Sequence, residues 1–99
     1  DSNGFLKAWK QVANQPGFDA IGCSMPTYFF ADALAQGIEI LKGTKKVGVD
    51  IPRDTVMKVY TVTSKNIDQY VRWDLADSFW ANTKMDEATL QRVYGLKKK

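Results

Sequence analysis

Apolar positions recur every three or four residues between Gly4 and Asn14. Phe5, Leu6, Trp9 and Val12 gather on one side there, so the spacing predicts a helix with that side toward a core. Asn3 just ahead has the short polar side chain that caps a helix N-terminus. Gln15-Pro16-Gly17 ends the helix, because proline brings no backbone donor and glycine accepts a positive φ. Phe18 to Ser24 is short and mostly apolar and reads as a strand, buried if it lies in a parallel sheet. Pro26 suits a helical first turn. A second helix is predicted over 27–42, with Phe30, Leu34, Ile38 and Leu41 as its inner stripe. Gly37 inside it costs about 1 kcal/mol relative to alanine, which predicts close packing of another element at that point. Gly43 supplies the C-cap.

Thr44 to Asp54, with Lys45-Lys46, Gly48 and Pro52, reads as a loop. Thr55 to Thr63 alternates Val56, Lys58, Tyr60 and Val62 with Met57, Val59 and Thr61, which predicts a strand. Ser64 is placed to cap a short helix through Val71, with Ile67, Tyr70 and Val71 packing. Residues 72–83 have no period but carry Trp73, Leu75, Phe79 and Trp80, the content of an extension lying against a larger body. A last helix is expected from Met85 or Asp86, where Asp86 and Glu87 favour the positive end of the dipole. Leu90, Val93 and Tyr94 form its apolar side, and Gly95 closes it.

The order helix, strand, helix, strand, helix, helix is α/β in character, with few strands flanked by helices. Two strands rarely make an independently stable sheet, so the chain reads as part of something larger, or as one that borrows strands from a partner. Its 99 residues can bury one modest core, and 44% apolar with 25% charged residues is the make-up of an ordinary globular protein. The net charge of +3 equals the three lysines Lys97, Lys98 and Lys99. A nucleic-acid surface needs cations interleaved along one face, so no nucleic-acid partner is expected and the tail reads as solvated. No apolar run approaches the roughly 18 residues that span a bilayer. Asp1-Ser2-Asn3-Gly4 shows neither Met nor the basic and apolar segments of a signal peptide, which fits a processed chain and a piece of a longer one equally.

The chain has no histidine and one cysteine. Ser-His-Asp and Cys-His machinery, a disulfide within the chain and the usual zinc sites are therefore excluded. Gly22-Cys23-Ser24-Met25-Pro26 lacks the second glycine of a nucleophile elbow, and no glycine-rich phosphate loop is present. Asp19, Asp32 and Glu39 have the spacing of surface acids. Cys23, flanked by apolar residues and without an activating base, reads as an inert buried thiol. No enzyme activity, catalytic residue, metal or cofactor is expected.

Phe18-Asp19-Ala20-Ile21-Gly22-Cys23-Ser24-Met25-Pro26-Thr27-Tyr28 precedes Ala33-Leu34-Ala35-Gln36-Gly37-Ile38-Glu39-Ile40-Leu41-Lys42-Gly43. Ile51-Pro52-Arg53-Asp54, a strand, and Val62-Thr63-Ser64-Lys65-Asn66-Ile67-Asp68-Gln69-Tyr70 follow. In order and spacing this resembles the final third of the periplasmic sugar-binding proteins of the ribose-binding type, which serve ABC transporters. Trp73-Asp74-Leu75-Ala76-Asp77-Ser78-Phe79-Trp80 is similar to the extension of some longer members. The resemblance implies that residues 1–99 are the C-terminal portion of a two-lobed fold and contribute to both lobes. Hinge crossings are implied near 24–26 and 43–55, helix 27–42 in one lobe, strand 55–63 in the other, and an extension over 72–99.

It further implies reversible binding of a sugar or polyol by lobe closure, a periplasmic location, and a transporter permease and the rest of the parent chain as partners. Family members often place Gln on the first crossing. Ser24 holds the matching position with a shorter side chain, either reaching a ligand hydroxyl or capping the following helix. Tyr28 faces the cleft or packs in its own lobe. Trp9, Trp73 and Trp80 are expected to pack rather than stack on sugar. The alternative from another class is an isolated module that pairs with a second copy of itself to cover its sheet edges.

Overall fold

The computed structural model describes residues 1–97. Among them it is a small mixed α/β protein with three α-helices and a two-stranded antiparallel sheet. The elements are α1 (Asn3–Val12), β1 (Ile21–Ser24), α2 (Tyr28–Leu41), β2 (Tyr60–Thr63) and α3 (Glu87–Tyr94), with one 3₁₀ turn at Ile67–Gln69. The chain divides into two units. The first takes Asp1–Ser24 together with the chain from Tyr60 onward, and the second is Met25–Val59. Of the lysine tail, Lys98 and Lys99 lie outside the described residues.

In the first unit α1 begins one residue earlier than its polar signal suggests. Ser2, not Asn3, is the N-cap, and its Oγ accepts from the Phe5 N–H at 3.3 Å. Asn3 is thereby turned inward and is fully buried. Its amide nitrogen donates to the carbonyls of Arg72 (2.6 Å), Leu75 (3.0 Å) and Ala76 (3.3 Å), and its Oδ1 accepts from the Arg72 N–H at 2.9 Å. One side chain thus satisfies four backbone groups of an irregular segment that has no ladder of its own. Lys7 adds bonds to the Leu75 carbonyl and to Asp77 Oδ1, both at 2.8 Å. The aromatic-rich extension is bound to α1 by polar contacts as well as by its apolar residues.

The buried side of α1 is Leu6 and Trp9, which join Val62, Ile67 and Val71 in one cluster, while Leu75, Phe79 and Leu90 make a second. Phe5, expected inside, is 47% exposed and tilts against the Trp9 ring at 5.9 Å. Trp73 and Trp80, expected to pack, are each more than half exposed. Leu75 and Phe79 take the interior places instead, because Asn3 draws the backbone in beside them. Asp86 caps α3, its Oδ1 accepting from the Thr89 N–H at 2.9 Å.

Both strands are shorter than the patterns over 18–24 and 55–63 predict, and they run antiparallel to one another. The ladder pairs Ile21 with Thr63, Gly22 with Val62, Cys23 with Thr61 and Ser24 with Tyr60. Beyond Thr63 the chain turns at Asn66, whose Oδ1 accepts from the Thr63 N–H (2.7 Å) and whose Nδ2 donates to the Thr61 carbonyl (3.0 Å). Residues 18–20 therefore have nothing opposite them. Asn66, not Ser64, organises that turn, and a single 3₁₀ turn replaces the expected helix. At the other end β1 stops before Pro26, which has no N–H to extend a ladder, so 55–59 lacks a partner strand. Alternation along β1 turns Gly22 and Ser24 inward, and Cys23 outward with Ile21. Cys23 is accordingly an exposed thiol, not a buried one.

The second unit is built differently. Thr27 precedes α2 without a side-chain cap bond, and Gly43 ends it at φ 71°, donating its N–H to the Ile40 carbonyl at 3.0 Å. No residue of α2 is buried. The stripe expected to face inward stands open, with Phe30 at 69%, Leu34 at 65% and Leu41 at 88% exposure. The return segment does not close on the helix. A groove of about 410 Å³ separates Ala33, Gly37 and Ile40 from Val47, Ile51 and Met57. Gly37 consequently meets no other element within 4 Å, contrary to the packing its mid-helix position suggests.

Candidate functional site

The two residues expected at a ligand site fall in different units. Ser24 ends β1 and is 9% exposed. Its hydroxyl does not cap α2; it accepts instead from Asn82 Nδ2 at 3.4 Å. Asn82 comes from the irregular run before α3, where the aromatic residues around it hid its polar role. Tyr28 opens α2 in the second unit, is partly buried, and meets the Phe29 ring edge-on at 5.2 Å and 84°.

Tyr60 lies across the ladder from Ser24. It is 47% exposed, and its ring makes an edge contact with Tyr70 at 6.4 Å. Alternation made Tyr60 visible as a strand residue, but nothing in the sequence marked it as Ser24's neighbour, because that depends on register. Ser24, Asn82 and Tyr60 together provide a hydroxyl, a planar amide and an aromatic face, all uncharged.

The strongest electrostatic feature of the first unit lies elsewhere. Arg72 donates to both oxygens of Asp74 (2.8 and 2.7 Å) and both of Glu87 (3.1 and 2.6 Å). Gln91 adds bonds to the same two carboxylates. The Arg72 side-chain bonds hold the carboxyls of Asp74 and Glu87 below their ordinary range, and Asp74 with Glu87 pushes the guanidinium further up. With every carboxylate oxygen already accepting, the cluster joins the extension to α3. The Thr89 backbone N–H, with the Thr89 hydroxyl second, lowers the Asp86 carboxyl. In the second unit Glu39, by hydrogen bond and by charge, raises the exposed Lys45.

No group of three or more His, Cys, Asp or Glu among the described residues is arranged to hold a metal ion. No helix among them is long and apolar enough to cross a membrane. Comparison with family models, with characterised proteins and with solved structures finds no match to this chain.

Proposed function

We propose that this chain is the C-terminal portion of a two-lobed carbohydrate-binding protein that delivers a sugar or polyol to an ABC importer, binding it reversibly as the lobes close. The observation that carries the reading is the double passage between units. The chain leaves the first unit after Ser24 and re-enters it at Tyr60, and those two residues are partners in the ladder. Two neighbouring chain passages are the connectivity that hinge closure around a ligand uses. The open faces of α2 support the same reading, since a helix apolar on several sides belongs inside a larger body. Calorimetric titration of the complete gene product against pentoses, hexoses and short polyols tests it. Saturable binding of at least one is expected, and silence across the panel overturns it.

The same exposed residues of α2 favour a second reading, in which the isolated chain self-associates without a ligand. Size-exclusion chromatography with light scattering separates the two. A folded monomer across the accessible concentration range rejects self-association.

A further inference from the structure

Ser24 and Tyr60 form the last rung of the ribbon. Directly opposed residues of an antiparallel pair project to the same face, with Cβ atoms about 5 Å apart. Alternation puts this rung on the face that carries Gly22 and Val62, the side that packs on α1. The core ends at Val62, however, and Tyr60 extends past it with nearly half its surface open. Asn82 reaches the same rung through its bond to the Ser24 hydroxyl.

We propose that Ser24, Tyr60 and Asn82 form a subsite for one hydroxylated edge of a neutral sugar or polyol, an inference that rests on the carbohydrate-binding reading. The amide donates to Ser24 Oγ, which turns the serine proton outward as a donor. Asn82 Oδ1 then serves as an acceptor beside it, with the second amide hydrogen as a further donor. Turning the amide over exchanges the roles and still presents one donor next to one acceptor. A sugar hydroxyl both gives and takes a hydrogen bond, so adjacent hydroxyls match that pair. The Tyr60 ring offers the apolar surface that the C–H side of a sugar prefers. No member of the trio carries charge, so the subsite selects the free sugar over its phosphate ester.

The test uses the complete gene product and whichever member of the sugar and polyol panel binds best. Asn82→Ala and Tyr60→Ala are each expected to weaken binding about tenfold, the size of one net hydrogen bond or one ring contact. Tyr60→Phe is expected to stay within about twofold, because the ring does the work. The phosphorylated ligand is expected to bind no better than the free one. In the unmodified protein the Asn82 side-chain amide resonances should move on ligand addition, a readout that does not depend on any variant folding. Binding within about twofold in both alanine variants, stationary Asn82 resonances, or preference for the phosphate ester overturns the subsite and leaves the carbohydrate reading standing. Failure of the whole panel to bind removes that reading and the subsite together.

Discussion

The two units of this chain treat apolar side chains in opposite ways. In the first, Leu6, Val62 and Leu75 are completely buried, and Trp9, Ile67 and Phe79 nearly so. In the second, Ile51 and Pro26 are the buried apolar side chains among the described residues, while Leu34, Leu41 and Val56 stand open at 65%, 88% and 97%. The difference does not come from a poorer supply of apolar residues, since α2 is the more hydrophobic helix by composition. It comes from what closes each unit. Asn3 and Lys7 tie an irregular segment onto α1, with Leu75 and Phe79 buried in it, whereas in the second unit Thr44 and Lys45 bond to Glu39 near the end of α2 and a groove still lies between the helix and Val47, Ile51 and Met57. A core depends on where polar braces fall as well as on apolar residues: the Asn3 brace is buried inside the first unit, whereas the bonds to Glu39 in the second are exposed.

Truncation at matched leucines tests that contrast most directly. Leu75→Ala removes a fully buried side chain and should destabilise the chain by about 3 kcal/mol. Leu34→Ala, on open α2, should change stability by less than about 0.5 kcal/mol. Urea unfolding followed by tryptophan fluorescence reads both, and equal costs would show that the second unit has a core after all. Next in size is Asn3→Ala. Four backbone groups lose their partner, and an unsatisfied buried polar group costs about 1–3 kcal/mol, so a loss of about 2 kcal/mol or more is expected. Asn3→Asp should do nearly as badly, because a carboxylate accepts from Arg72 N–H but donates to none of the three carbonyls.

Hydrogen exchange sharpens the same comparison without a mutation. Amides of Leu6, Trp9 and Val62 should exchange only on global opening, and those of α2 many times faster through local opening. If the proposed reading holds, adding the rest of the parent chain should slow α2 selectively. Uniform protection in the chain alone would contradict the division drawn above.

How far the sequence foretold this structure follows from which interactions are local. The three helices could be read from apolar spacing and from punctuation such as Pro16, Gly43 and Asp86, since those signals act within a turn or two. The strands were placed correctly at Ile21–Ser24 and Tyr60–Thr63, but their length depends on what lies opposite, which periodicity along one strand does not contain. The direction of pairing stayed open for the same reason. Phe30, Leu34, Ile38 and Leu41 do form a stripe, yet a stripe says only that a face seeks burial, not that this chain provides the cover. At the candidate site Ser24 was singled out by the resemblance, as the polar residue of the implied first crossing, whereas Asn82 and Tyr60 meet it only through pairing across the fold. Asn3 was visible as a helix-start residue, but its inward turn follows from Ser2 having taken the cap.

A smaller effect is expected at the N-cap of α3. Replacing Asp86 by alanine removes the acceptor for the Thr89 N–H, and should fray the start of α3 with a small fall in Tm.

The Arg72 cluster gives the weakest but most specific signal. Its bonds depress the carboxyls of Asp74 and Glu87 in the folded chain from their ordinary values of 3.8 and 4.5. A carboxyl whose pKa is lower when folded binds protons more tightly when unfolded. Its contribution is therefore complete above those ordinary values and disappears as pH falls through the depressed ones. Tm should hold steady from neutrality to about pH 5 and then decline as the acid limb is entered. Arg72→Gln should lower the plateau slightly and flatten this part of the decline, because the two carboxyls return toward their ordinary values. Both carboxylates are about half exposed, so solvent screens the pairs and the whole effect stays small. A pH series of Tm for the two proteins, repeated in high salt, reads it. The gap between the proteins should close both at low pH and at high salt. A gap that persists at low pH would mean that the Arg72 side chain acts by packing its aliphatic stem against the extension, not by charge.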